Sequence, residues 1–205
     1  MADATEADLD LSGGLWLGQG DVRLAPTTDL AAARRLLAGF DDSLGDSYRA
    51  LIDDHPDACR RMCRPGHLTG SALVVDHEGD NTLLLLHAKL GLWLQPGGHA
   101  DGDANLVAVA LREAAEETGI KGLRIWSNPL HLDIHRVDPP DEDPHLHYDV
   151  RFLVRAPVGA LPRANHESMG MRWVPLNRLS EFGCDPGLIH LAELGARALK
   201  EVPRF

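Results

Sequence analysis

The chain has 205 residues, enough for one domain of ordinary size with an extension, and its 44% hydrophobic content supports a sizeable buried core. With 31 acidic against 20 basic residues the formal net charge is -11, which excludes a broad basic face of the kind that binds nucleic acid non-specifically. An anionic substrate is not excluded, because a bound divalent cation reverses the field locally.

Cys59, Cys63 and Cys184 are too few, and odd in number, for a disulfide framework, and they fit a reducing compartment. No apolar run approaches the ~18–20 residues that span a bilayer. The acidic start MADATEADLDLSGG lacks a signal-peptide core and reads as disordered. The expectation is a cytoplasmic protein that does not engage membranes.

In chain order, TTDLAAARRLLAGF (27–40) has a helical period with Thr28 or Asp29 as cap. DSYRALIDDHPDACRRMC (46–63) reads as a second helix, or two pieces divided at Pro56. RPGH (64–67) breaks the pattern and sets a boundary: an N-terminal extension over 1–66, then a domain over 67–205. LTGSALVVD (68–76) and TLLLLHAK (82–89) read as a hairpin across HEGDN, and GLWLQPGG (91–98) as a short strand entering a loop. Asn105 to Thr118 is a helix with Asp103 or Asn105 as N-cap and Gly119 at its C-cap. GLRIWS and LHLDIHRV are strand candidates, DPPDEDP (138–144) is an acidic loop, and HLHYDVRFLVRA (145–156) should pair with the strand before it. MRWVPLNRLSEF (171–182) reads as a last strand running into a helix start, and GLIHLAELGARALK (187–200) as a helix.

The chemistry concentrates in the helix that ends at Thr118. Glu113, Glu116 and Glu117 stand at i, i+3 and i+4 and share one face, beside a helix C-terminus that is already negative. Like charges at these spacings cost a few tenths of a kcal/mol per pair, and Arg112 alone cannot neutralise three acids. A hard divalent cation can, since Mg²⁺ takes carboxylate oxygens and shares its shell with substrate phosphates. A solvated acidic helix face is the plain alternative. The preceding PGG favours the metal, because Gly97 and Gly98 let backbone approach an ion or phosphate closely.

Gly98 to Ile120 resembles the Nudix box, G-x5-E-x7-R-E-U-x-E-E-x-G-U with U a bulky apolar residue. Gly98, Arg112, Glu113, Glu116, Glu117, Gly119 and Ile120 fit at the right spacing. The first glutamate of the pattern falls on Ala104, and the first U position holds Ala114. The resemblance implies an α/β fold, an α/β/α sandwich with a mixed sheet, here carrying an N-terminal helical extension. It implies a Mg²⁺- or Mn²⁺-dependent hydrolase that cleaves the diphosphate linkage of a nucleoside diphosphate joined to another moiety. Glu113, Glu116 and Glu117, with the Gly98 carbonyl, would hold the metal. One glutamate would act on the attacking water, Arg112 would hold a glutamate in place, and Gly97, Gly98 and His99 would meet the substrate. Glu167 is the candidate for an assisting acid outside the box. A non-catalytic nucleotide-binding sensor, motivated by Ala104, is the competing reading. An isoprenoid-diphosphate isomerase fits poorly, because no cysteine lies near WLQPGGHA. The partner is a small nucleotide or diphosphate, and the extension is open to dimerisation, to covering the site or to contacting a partner.

The histidines form a second pattern. His131, Asp133 and His135 alternate onto one strand face, as do His145, His147 and Asp149. If the two strands pair, the four histidines converge, with His99 after the glycines as a neighbour. An additional transition metal, a substrate-lining role and ordinary strand histidines all remain open. CRRMC with His55 and His67 is a weaker zinc set, since both cysteines fall on an expected helix without a second CxxC pair.

Overall fold

The computed structural model describes residues 11–88, 90–138, 143–163 and 168–204. The first ten residues, most of the acidic start, lie outside that set, as do 139–142 of the acidic loop and the segment 164–167. Strand β1 (Trp16–Gly18) leads to two helices, α1 (Ala31–Arg35) and α2 (Ser43–Asp54). The period read over 27–40 thus yields five α-helical residues. Beyond Arg35 the backbone bonds run from Leu36, Leu37 and Ala38 back three residues, the tighter pattern that ends helices. Helix α2 is capped by Asp42, which accepts the Gly45 N–H, and it stops at His55 because a residue before proline avoids the helical region.

The rest of the chain runs β2 (Gly66–Val75), β3 (Asn81–His87), β4 (Trp93–Leu94), β5 (Gly97–His99), α3 (Leu106–Thr118), β6 (Arg124–Val137), β7 (His145–Arg155), β8 (Ser168–Pro175) and α4 (Pro186–Glu201). One mixed sheet has the order β1-β6-β7-β2-β3-β4, with β5 also on β2 and β8 on β3. The expected β2–β3 hairpin pairs only beside its turn, Val75 with Thr82. Past that point β2 takes β5 antiparallel and β7 in parallel along its whole length, while β3 takes β8. The expected pairing across the acidic loop is present: β6 and β7 are antiparallel from Arg124↔Arg155 to Val137↔His145. Its register shifts around Pro129, which has no N–H to give the ladder.

The sheet is covered on both sides. Even-numbered residues of β2, Leu68, Ala72 and Val74, pack with α3 and with Leu37, Tyr48 and Leu51 of the extension in one core. Odd-numbered Leu73 and Val75 pack with Leu188, Leu191 and Ala198 of α4 in a second. Residues 11–66 therefore share their core with the rest of the chain, and β1 joins the sheet edge at β6. No helix among the described residues is long and apolar enough to cross a membrane.

Candidate active site

Helix α3 presents its catalytic candidates through ordinary helix physics. Leu106, Val109, Ala110 and Ala114 are buried, and α3 crosses β2 so closely that a Cβ at Gly70 would lie 3.1 Å from the Leu106 carbonyl oxygen. Asn105 caps the start by accepting the Ala108 N–H, and Gly119 ends the helix at φ 64, a conformation that glycine adopts without a Cβ clash. That packing leaves Glu113 and Glu117 half-buried and Glu116 exposed.

Strand β5 meets the acids from the other side. The Gly97 N–H donates to Glu117 Oε2 at 2.9 Å. A Cβ on Gly98 would sit 2.5 Å from Glu113 Oε2, so the glycine is needed for close approach rather than for an unusual φ. Arg112 Nη2 donates to Glu113 Oε1 at 2.9 Å and to the His99 carbonyl at 3.1 Å, tying helix, acid and strand together. Burial, with Glu116 and Asp101 nearby, holds the Glu113 carboxyl above its ordinary pKa despite Arg112. With Glu113 turned to Arg112 and Glu117 to the Gly97 N–H, the three carboxylates do not gather their oxygens within 4.8 Å of one another. An open groove of ≈ 360 Å³ lies beside Glu116, between Arg112 and Ala108 of α3 and Gln19, Gly20 and Leu24 of the extension.

The departure at Ala104 has a structural account. Ala104 is fully buried, and its N–H donates to the Thr27 carbonyl at 2.7 Å. Asp103 accepts the Thr27 and Asn105 N–H groups, and the Asn105 amide donates to the carbonyls of Arg23 and Ala25. Asp101 is paired with Arg61 at 2.8 Å. The loop entering α3 is thus stitched to the extension, and the side chain at 104 faces packing rather than polar partners.

The far face of the sheet, the one that carries α4, holds the histidines. Successive cross-strand rows along β2, β7 and β6 run from Leu73 and Leu153 under α4, through Ser71, Arg151 and His131, then Thr69, Asp149 and Asp133, to His67, His147 and His135. The middle rows form a buried polar network. Thr69 and Ser71 hydroxyls donate to Asp149, and Arg151 bonds Asp149 at 2.8 Å and Asp133 at 2.7 Å. In the last row His67 lies 4.9–5.0 Å, between ring centres, from His99, His145 and His147. His135 is 5.4 Å from His147 and bonds Asp133 at 2.7 Å. His131 does not join this group. It sits two rows away against His190 of α4, because His131 and His135 are four residues apart on one strand and each cross-strand row on a face takes every second residue.

His67 enters the cluster instead of the cysteine set, a placement that needs the β2–β7 pairing to be known. Cys59 and Cys63 occupy turns rather than a helix, and burial raises their thiol pKa values to about 12 and about 11. His55, Asp57 and Cys63 gather there without His67. Glu167 lies outside the described residues.

Residues 67–193 match the NUDIX domain family model. The phosphatase NudJ of Escherichia coli K12 is 36% identical over 104 residues, 50% of this chain and 57% of that protein, so the chain spans little more than half the length of the curated relatives it matches. The binary complex of a C. elegans Ap4A hydrolase superposes with a TM-score of 0.54 at 17% identity, over 66% of this chain and 98% of that one. A NUDIX-family hydrolase from Clostridium perfringens gives 0.51 at 21% identity, over 65% and 97%. At these identities the likeness speaks for the fold alone. The box and the sandwich around it, matched over most of the chain from His67 onward, make this protein a member of the NUDIX family.

Proposed function

We propose that the chain hydrolyses a diphosphate linkage in a nucleoside diphosphate joined to a second moiety, with Mg²⁺ or Mn²⁺ as the working cation, inside a reducing cytoplasm. The observation that carries the reading is the clamp between β5 and α3: Arg112 on Glu113, and Gly97 on Glu117, beside the exposed Glu116. The donor set is all oxygen, and the acids outnumber the one arginine among them, which suits a hard cation rather than a soft one.

Glu113, Glu116 and Glu117 would hold the ion, with the Gly98 carbonyl completing the protein's share. When bound, the ion supplies charge for the phosphoryl oxygens and lowers the pKa of a coordinated water. The chain's own work is positional. Arg112 keeps the Glu113 carboxylate against β5, and Glu116 or Glu117 would take a proton from, or orient, the attacking water. Gly97 and Gly98 leave room for a phosphate to approach backbone, with His99 at the strand's end. Glu167 is the acid we assign to assist from outside the box. The small nucleotide substrate enters an acidic chain, and a bound cation would offset the carboxylate charge facing its phosphates.

The test is a panel of dinucleotides and nucleoside diphosphate conjugates with Mg²⁺ or Mn²⁺, run beside Glu116→Gln and Glu117→Gln. Loss of a cation ligand is expected to lower turnover at least ~100-fold in each. Undiminished turnover in both variants contradicts the assignment, and nucleotide binding without turnover in the unaltered chain favours the sensor reading.

A further inference from the structure

The imidazole row raises a question the carboxylate site does not answer. His67 is fully buried, and neither of its ring nitrogens has a hydrogen-bond partner among the described residues. An unsatisfied buried polar group costs ~1–3 kcal/mol, so folding alone gives no reason to keep it. An apolar side chain of similar volume would avoid that cost.

The neighbours define what the position faces. The donor atoms of His67, His99 and His147 all lie within 4.8 Å of one another. Burial, with the adjacent imidazoles, lowers the pKa of His67 to about 4 and of His147 to about 2, which leaves both neutral near pH 7 with a lone pair each. His145 is oriented from behind. Its Nδ1 lies 2.8 Å from the Asp143 carbonyl, which can only accept, so the proton is on Nδ1 and the lone pair on Nε2. That Nε2 lies 3.3 Å from His147 Nε2. Two nitrogens on one tetrahedral zinc, each ~2.0–2.1 Å from it, are themselves ~3.3 Å apart. An inward shift of about an ångström brings the two remaining donors, on His67 and His99, to the same spacing.

We infer that His67, His99 and His147, with His145 as fourth donor, bind a divalent first-row transition cation, Zn²⁺ matching best. Nitrogen-only donors reject Mg²⁺, so the site is separate from the carboxylates and holds whether or not they hydrolyse anything. It shares one strand with them. His99 reaches the cluster from the strand whose Gly97 and Gly98 meet Glu117 and Glu113 on the opposite side, so the ion pins β5 against β2 and β7.

The experiment titrates the full chain, stripped with a chelator and dialysed, with Zn²⁺ against a chromophoric competitor, and separately with Co²⁺ for visible d–d bands. One tight equivalent of Zn²⁺ is expected, undisturbed by excess Mg²⁺. His67→Asn and His147→Asn lower the affinity by more than the ~10–100-fold that follows loss of a group that only orients a ligand, and His145→Ala lowers it less. Glu116→Gln and Glu117→Gln keep the zinc, which separates this site from the proposed hydrolase site. Absence of a tight equivalent in the unaltered chain overturns the inference, as does unchanged affinity in folded His147→Asn. Should His67→Asn fail to fold, His147→Asn and the Co²⁺ bands of the unaltered chain decide.

Discussion

At Gly98 the Glu113 carboxylate fills the space a side chain would take. Gly98→Ala must move either β5 or Glu113, and Glu113 is held by Arg112. A displacement near 1 Å at such a centre costs about 100-fold in rate, so kcat on the best substrate of the panel should fall by that order while far-UV circular dichroism stays unchanged. Full activity in the alanine variant would mean that the glutamate has no fixed place. The same residues show what sequence makes readable. The spacing of Arg112, Glu113, Glu116 and Glu117 is local and survives inspection by eye, because a helix converts separation into a shared face. That Glu117 takes a proton donor from Gly97 depends on where β5 lies, and no local pattern carries it.

At the scale of the element, the loop into α3 replaces a box glutamate with packing. Ala104 is fully buried beneath the extension, and the neighbouring Asp103 and Asn105 make the polar links to Thr27, Arg23 and Ala25. Restoring the family residue with Ala104→Glu would put an unpaired carboxylate into that contact. The expected result is a loss of about 2 kcal/mol or more in urea denaturation, without a gain in turnover. A neutral effect would show that the loop opens readily and that the extension is not what seats it. Helix α1 makes the complementary point. Its apolar period over 27–40 marks residues that do reach the core, Ala33 and Leu37, but the backbone delivers Leu37 by three-residue turns rather than by an α-helix. Periodicity reports burial, and two kinds of helical turn satisfy it.

At the scale of the whole molecule, one face of the sheet grades from apolar under α4 to charged to imidazole at its end. His131 sits in the charged part, facing Arg151 of β7 and His190 of α4, with Asp133 and Asp149 nearby. Burial, then Arg151 and His190, lowers its pKa from 6.5 to about 4, outweighing the two acids. The unfolded chain binds this proton near pH 6.5 and the folded chain resists until about 4. The stability held by the neutral ring is therefore complete above pH 6.5 and drains as pH falls through that window, by up to ~1.4 kcal/mol per pH unit for one group. In chelator, His131→Gln should flatten the dependence of the urea midpoint on pH between 6.5 and 4 and leave the midpoint above pH 7 less affected. A variant curve parallel to the unaltered one would assign the acid sensitivity elsewhere.

The linear chain by itself determined the box helix and its caps, most strand positions, the β6–β7 pairing and the family, because each is written in short-range periodicity or fixed spacing. Tertiary structure alone decided which histidines meet. His67 and His147 are eighty residues apart and come together through a parallel pairing, which leaves no turn in the sequence to announce it. It also decided that the extension belongs to the same core and seats the loop at Ala104, since the contacts of a buried side chain are set by whatever the fold places opposite it.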